Sequence, residues 1–114
     1  MKIALFGQYY QNSTAEIVQK VVTFLESNAI TIAFEASFLA SLKEKNIILK
    51  EYETYSNYNN LDADFKALIS IGGDGTILKA ATFVRDKNIP IIGINAGRLG
   101  FLATIQFENI ETLL

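Results

Sequence analysis

The stretch "ISIGGDGTILKAA", residues 69–81, decides the fold of this 114-residue chain. A β-branched apolar run stops at three glycines that surround Asp74, and a helical pattern begins directly afterwards. This order predicts a buried strand, a tight turn and a helix. Because open α/β sheets bind ligands beyond the carboxyl ends of their strands, the turn lies where a ligand site is expected.

The glycine turn has the chemistry of a phosphate site. Glycines let a ligand approach the backbone closely, and the following helix adds free amide groups and the positive end of its dipole. The turn is not a P-loop, since no Gly-Lys-Ser/Thr follows, and it does not fit the dinucleotide pattern G-x-G-x-x-G. The predicted phosphate-binding residues are Gly72, Gly73, Gly75 and Thr76.

Asp74 needs a separate explanation, because a carboxylate repels phosphate. The chain contains neither cysteine nor histidine, which excludes thiolate nucleophiles, imidazole bases and the usual zinc sites. Phosphoryl transfer requires a group that orients a hydroxyl and accepts its proton, and we predict that Asp74 is this catalytic group, acting as a weak base. The alternative is structural, because Asp is a favoured N-cap and Gly-Gly-Asp-Gly also forms ordinary tight turns.

Further candidate residues lie nearby in the sequence. Lys79, in the second turn of the helix, either adds a cation to the site or is a solvated helix lysine. A second glycine cluster, "IIGINAGRLGFLATI", follows the next strand, where Asn95 and Gly97 are predicted to support the site. Phe101 either faces a ring of the ligand or packs against another domain, and Arg98 is interpreted as solvated.

The rest of the chain alternates between apolar runs and helical patterns. Such alternation predicts an α/β fold, a parallel sheet covered by helices on both faces. The segment 46–64 is predicted to be a loop that packs through its tyrosines. The predicted strands are 2–7, 30–34, 66–73 and 89–95, and the predicted helices are 14–27, 36–46 and 76–88.

Composition excludes several classes of function. Ten basic and twelve acidic residues give a net charge of -2 without a basic block, so nucleic acid is not an expected partner. No apolar stretch reaches the roughly 18 residues that cross a bilayer, and the polar start does not resemble a signal peptide. A cytoplasmic protein with no membrane association is expected.

Together, "GGDGTILKAA" and "GINAGRLGFLATI" resemble the NAD kinase family over essentially the whole chain. The resemblance implies a Rossmann-like domain and phosphorylation of the adenosine-ribose 2'-hydroxyl of NAD, giving NADP. It implies ATP or polyphosphate as donor, a divalent metal such as Mg²⁺, and a homodimer or homotetramer. It matches Asp74 to the proton acceptor and places Asp74, Gly75, Lys79 and Phe101 at the substrate.

The family's later Asn-Glu motif and all-β carboxyl-terminal domain are missing from this sequence. We therefore expect residues 1–103 to form the α/β nucleotide-binding domain and 104–114 to begin the connection to an absent domain. The 114-residue chain alone is predicted to be a weak or inactive enzyme. Two alternatives stay open at this point: a lipid or sugar kinase that shares the turn, and a non-catalytic nucleotide-binding module.

Overall fold

A computed structural model of the protein describes residues 1–8 and 12–95. Five parallel strands form one sheet in the order β3-β2-β1-β4-β5. The strands are β1 (Lys2–Gly7), β2 (Thr31–Glu35), β3 (Glu53–Tyr55), β4 (Phe65–Gly72) and β5 (Ile91–Asn95), and the helices are α1 (Asn12–Ser27), α2 (Ala36–Glu44) and α3 (Asp74–Val84).

Helices cover both faces of the sheet, as predicted. Alternate residues of a strand point to opposite faces, so Ile3 and Leu5 of β1 pack with α1 and α2. Ala4 and Phe6 of the same strand belong to a second cluster that includes Ala80 of α3. The sheet is therefore buried on both sides, which explains why β4 reads as a continuous apolar run.

The strand order places the predicted turn at a topological switch point. The chain moves from β1 to β2 and β3 on one side, then crosses to β4 and β5 on the other. The connections after β1 and β4 consequently leave in opposite directions and open a crevice between their carboxyl ends. Gly7 ends β1 and Gly72 ends β4, so glycines border this crevice on both sides.

Segment 46–64 contains regular structure that the sequence did not predict. It holds β3 and a short 3₁₀ helix at Tyr58–Asn60. Tyr55 is buried, and its hydroxyl donates a hydrogen bond to the carbonyl oxygen of Leu5 at 2.9 Å. The prediction that this segment packs was correct, but β3 was missed because three residues are too few for a period-2 pattern.

Two helices end earlier than predicted, each at a residue with positive φ. Asn46 has φ 60° after α2, and the amides of Ile47 and Ile48 donate to the carbonyl oxygen of Leu42. This left-handed residue closes the helix and satisfies one of its free carbonyl groups. Arg85, with φ 43°, directly follows the last residue of α3. None of the helices in the described ranges is long and apolar enough to cross a membrane.

Candidate functional site

Gly72 is required by the packing of the turn. Its φ is +156°, and a Cβ atom at this position would lie 2.4 Å from Oγ1 of Thr76. Thr76 is fully buried, so it cannot move into solvent to make room for a side chain. Gly72 thus allows the first turn of α3 to sit directly on the end of β4.

The sequence left open that Asp74 is the N-cap of α3, and the structure does not show this arrangement. Gly73, not Asp74, occupies the N-cap position, and its carbonyl oxygen accepts hydrogen bonds from the amides of Thr76 and Ile77 at 3.1 and 3.3 Å. Asp74 is the first residue of the helix, two positions earlier than predicted. A carboxylate in a first helical turn interacts favourably with the helix dipole, but the capping role belongs to the backbone of Gly73.

No contact among the described residues requires glycine at position 75. It is exposed, and a Cβ atom added to it would meet none of the described atoms within 4 Å. Glycine in a helix costs about 1 kcal/mol relative to alanine. Neither helix propensity nor a described contact therefore accounts for glycine at this position.

The end of β1 is joined to the turn by two hydrogen bonds of Gln8. Its backbone amide donates to the carbonyl oxygen of Ile71 at 3.2 Å. Its side-chain oxygen accepts a hydrogen bond from Oγ1 of Thr76, also at 3.2 Å. These contacts fix the first residue after β1 against the first turn of α3.

A cleft of about 420 Å³ opens beside this junction. Ser37 and Ser41 lie four residues apart on α2 and line one side of it, while Lys79 of α3 lines another. Lys79 is exposed, and none of the described residues accepts a hydrogen bond or ion pair from its ammonium group. The described residues that line it are Phe6, Gly7, Gln8, Ser37, Phe38, Ser41 and Lys79.

The carboxylate of Glu35, which directly precedes α2, already accepts hydrogen bonds from the protein. Glu35 is 8% exposed and caps α2, accepting hydrogen bonds from the backbone amides of Ser37 and Phe38 at 3.0 Å. The hydroxyl of Ser37 donates to the same carboxylate at 2.7 Å. Burial raises the pKa of Tyr55, and the nearby charge of Glu35 raises it further. The hydrogen bonds from Ser37 and Phe38 thus stabilise the Glu35 carboxylate.

The described start of the second glycine cluster, Gly93 to Asn95, lies in the strand next to β4. β5 pairs with β4, and Asn95 lies in register with Gly72 at the carboxyl edge of the sheet. A Cβ atom on Gly93 would lie 2.6 Å from Cδ1 of Ile77, so α3 also packs closely on β5. The other predicted residues of this cluster, Gly97 and Phe101, lie outside the described residues.

Sequence reasoning missed the residues that line the cleft from β1 and α2. Gln8 directly follows the glycine that ends β1, and Ser37 and Ser41 have the i, i+4 spacing of one helix face. A polar residue after a glycine and a pair of serines four residues apart are both common in sequences. They indicate a site only when the strand order is known to bring them together. Lys79 was predicted, and the structure places it at the same cleft.

A metal site is not formed by the described side chains alone. No group of three or more His, Cys, Asp or Glu residues is found within the described ranges. Mg²⁺ in phosphoryl-transfer enzymes is commonly held by one or two carboxylates together with substrate phosphates. A metal at this edge would therefore need ligands beyond the described side chains, such as the phosphates of a bound substrate.

Comparisons with known proteins agree on one family. The family model of the ATP-NAD kinase N-terminal domain matches residues 3–114. The NAD kinase of Flavobacterium johnsoniae is 54% identical over 114 residues, which cover 100% of this chain and 39% of that protein. The NAD kinase of Methanothermobacter thermautotrophicus is 34% identical over 114 residues, covering 100% and 38%.

A solved structure shows the same fold. The structure described as yeast NADH kinase complexed with NADH aligns with 99% of this chain and 35% of its own, with a TM-score of 0.69 and 16% sequence identity. The chain spans about two fifths of the length of the curated relatives it matches, 39% in the first case. As the sequence resemblance predicted, the chain belongs to the ATP-NAD kinase N-terminal domain family.

Proposed function

We propose that the protein containing this chain transfers a phosphoryl group to the 2'-hydroxyl of the adenosine ribose of NAD, giving NADP. The donor is ATP, with polyphosphate as the alternative that the family resemblance allows. Family membership supports the reaction class. The observation that carries the site is the exposed Gly75 at the amino end of α3, where alanine would stabilise the helix and no contact among the described residues requires glycine.

The proposed chemistry uses two parts of the turn. The backbone amides around Gly73 and Gly75 take phosphate oxygens, because a helix amino end supplies free donors and positive potential. Asp74 orients the 2'-hydroxyl, whose oxygen forms a bond to phosphorus while the bond from phosphorus to the leaving phosphate oxygen breaks. The hydroxyl proton passes to the carboxylate of Asp74. Since the helix dipole favours the ionised carboxylate, this proton transfer occurs late.

The proposal also covers the domain bounds, the supporting residues and the assembly of the protein. We place the α/β domain at 1–103 and the start of a connection at 104–114. Lys79 supplies a cation beside the substrate phosphates, while Asn95, Gly97 and Phe101 support or line the substrate side. The full-length protein is a cytoplasmic homodimer or homotetramer that uses Mg²⁺ bound with the donor, without nucleic-acid or membrane partners. Residues 1–114 alone are weak or inactive.

Asp74→Asn in the full-length protein tests the role of the carboxylate. We expect turnover to fall by about 10²- to 10⁴-fold, the usual contribution of a general base, while NAD binding measured by calorimetry changes little. Asp64→Asn is the matched control, because Asp64 is exposed and directly precedes β4 at the opposite edge of the sheet. Full turnover by Asp74→Asn would show that Asp74 is not the base. Failure of the unsubstituted protein to form NADP would overturn the proposed reaction itself.

A further inference from the structure

The two outer strands of the sheet are protected to different degrees. An outer strand carries backbone donors and acceptors that pair with any strand placed beside it, and proteins usually protect it with charges or keep it short. β3 has three residues, and its Glu53 forms an ion pair with Lys2 at 2.9 Å. β5, on the opposite side, has five residues, and the stretch 89–95 contains no charged side chain. β5 is therefore the less protected of the two.

The register of β5 shows which of its backbone groups face outward. Leu68 lies opposite Ile91, and its amide donates to the carbonyl oxygen of Pro90 at 2.9 Å. In a parallel pair, such a residue bonds to the two residues on either side of the one that it faces, here Pro90 and Ile92. The amide and carbonyl groups of Ile91 and Gly93 therefore point away from β4, and none of the described residues bonds to them.

The side of α3 next to β5 is apolar and exposed. Ile77 packs on Gly93, since a Cβ atom added there would lie 2.6 Å from Cδ1 of Ile77, yet Ile77 is 40% exposed. Ala81 follows four residues later on the same side of the helix and is also exposed. A strand placed beside β5 would therefore cover apolar side chains of α3 as well as the free backbone groups.

These surroundings define the kind of strand that fits β5. Main-chain hydrogen bonds to Ile91 and Gly93 give such a strand its affinity, and its alternate side chains face Ile77 and Ala81. Neither of these two side chains carries a charge, and neither does any residue in the stretch 89–95. Since burying an unpaired charge is costly, the strand must present uncharged, apolar side chains toward α3.

The place of β5 in the chain favours a strand from the same polypeptide. Asn95, the last described residue, belongs to β5, so the polypeptide continues from this side of the sheet. The chain spans 39% of the Flavobacterium johnsoniae relative, which leaves about three fifths of that protein outside the matched region. A tethered strand has an effective concentration on the order of mM for a short linker, which favours it over a strand from a second copy.

We propose that an apolar strand from elsewhere in the same polypeptide pairs with the outward backbone groups of Ile91 and Gly93 and covers Ile77 and Ala81. The inference is independent of the proposed kinase reaction, because it rests on the strand register and on the surface of α3. Pairing of β5 with a second copy of the chain is the alternative that the experiments distinguish.

Amide hydrogen exchange in the unsubstituted full-length protein tests the pairing directly. We expect the amides of Ile91 and Gly93 to exchange at least about 100-fold more slowly than free amides, because the added strand accepts hydrogen bonds from them. The amide of Ile92 faces β4 and serves as the protected reference. The rates are read by mass spectrometry with fragmentation that resolves single residues. Exchange of Ile91 and Gly93 at the rate of free amides would overturn the proposal.

A pair of variants in the full-length protein tests the apolar cover of α3. Ala81→Glu and Ala81→Gln have nearly the same size, so they differ in charge alone. We expect Ala81→Glu to unfold at least about 5 °C below Ala81→Gln, because the added strand buries the carboxylate. Thr82→Glu and Thr82→Gln are the matched controls. Thr82 is exposed, and its hydroxyl donates to the carbonyl oxygen of Lys79.

The control pair and the mass of the assembly complete the test. Positions 81 and 82 lie four and three residues before Arg85, so attraction of a new carboxylate to that cation is shared by both pairs. The midpoints of the two Thr82 variants should agree within about 1 °C. Sedimentation should give Ala81→Glu the same molar mass as the unsubstituted protein. Equal midpoints for the two Ala81 variants would overturn the proposal. A halved molar mass of Ala81→Glu would also overturn it, because a second copy would then cover β5.

Discussion

Lys2 and Lys87 at the amino edge of the sheet are held in protein contacts, whereas Lys79 at the carboxyl edge lines an open cleft. At the amino edge, the ammonium group of Lys2 lies 2.9 Å from the carboxylate of Glu53. Lys87 donates to the carbonyl oxygen of Tyr58 at 2.6 Å and to that of Leu61. These contacts join neighbouring segments of the fold.

Two of the cations at the amino edge lie over the ring of Tyr58. The Lys87 ammonium group lies 4.1 Å and the Arg85 guanidinium 4.7 Å from the ring centroid. The hydroxyl of Tyr58 donates to Asp86 at 2.9 Å. The hydrogen bond to Asp86 and burial raise the pKa of Tyr58. These contacts at the amino edge stabilise the crossover to β4.

Two of the three glycines of the turn, Gly72 and Gly75, also differ from each other in their surroundings. Gly72 has a positive φ and touches Thr76, whereas Gly75 faces open space. The packing around Gly72 requires a glycine, whereas only the proposed ligand gives a reason for glycine at position 75. Substitution by alanine should separate the two requirements.

Gly72→Ala is expected to have the largest effect on stability. An L-residue at this φ costs about 1–3 kcal/mol, and the clash with Thr76 Oγ1 adds to it, so we expect a loss of about 3 kcal/mol. The measurement is the thermal or denaturant midpoint of the full-length protein. A midpoint equal to that of the unsubstituted protein would contradict the packing seen between Gly72 and Thr76.

Gly75→Ala is expected to do the opposite. The helix should be unchanged or up to about 1 kcal/mol more stable, because alanine is the better helix former. Turnover should fall by about 100-fold, since a methyl group displaces the ligand from the backbone and small misplacements of reacting groups are costly. The measurements are the unfolding midpoint and kcat/KM for NAD and ATP. Normal kinetics would show that no ligand approaches the backbone at Gly75.

A pair of lysine variants compares the two edges directly. Lys87→Met should lower the free energy of unfolding by about 2 kcal/mol, because it removes charge-assisted hydrogen bonds, and should leave turnover unchanged. Lys79→Met should leave stability unchanged and raise the KM for NAD by about tenfold, because Lys79 is proposed to lie beside the substrate phosphates. Steady-state kinetics and denaturant unfolding are measured for both variants. If both lost stability alone, the division between the edges would be wrong.

Ser70→Ala should have the smallest effect. The hydroxyl of Ser70 is buried on the α3 face of β4, and its oxygen has no hydrogen-bond partner among the described residues. Removing an unsatisfied buried polar group is neutral or stabilising, here by up to about 1 kcal/mol. A destabilisation of more than about 1 kcal/mol, measured by denaturant unfolding, would reveal an interaction of this hydroxyl.

Elements with long apolar or helical patterns were predicted well. The run from Phe65 to Gly72 and the helix at Asp74 lie close to their predicted positions, because their hydrophobic period is set by local geometry. The ends of α2 and α3 were misplaced, since Asn46 and Arg85 adopt positive φ without a glycine to signal it. β3 was missed because only pairing with β2 makes so short a segment a strand.

By itself, the sequence determined the alternation of strands and helices, the glycine turn at the end of β4 and the family to which these motifs point. These features depend on residues that are neighbours along the chain. Only the tertiary structure decided which side chains meet at the carboxyl edge. Thr76 and Gln8, which share a hydrogen bond, are 68 residues apart, and Ser41 and Lys79 line one cleft from different helices. Such contacts follow from strand order, because parallel strands bring their carboxyl ends to one edge whatever their separation in sequence.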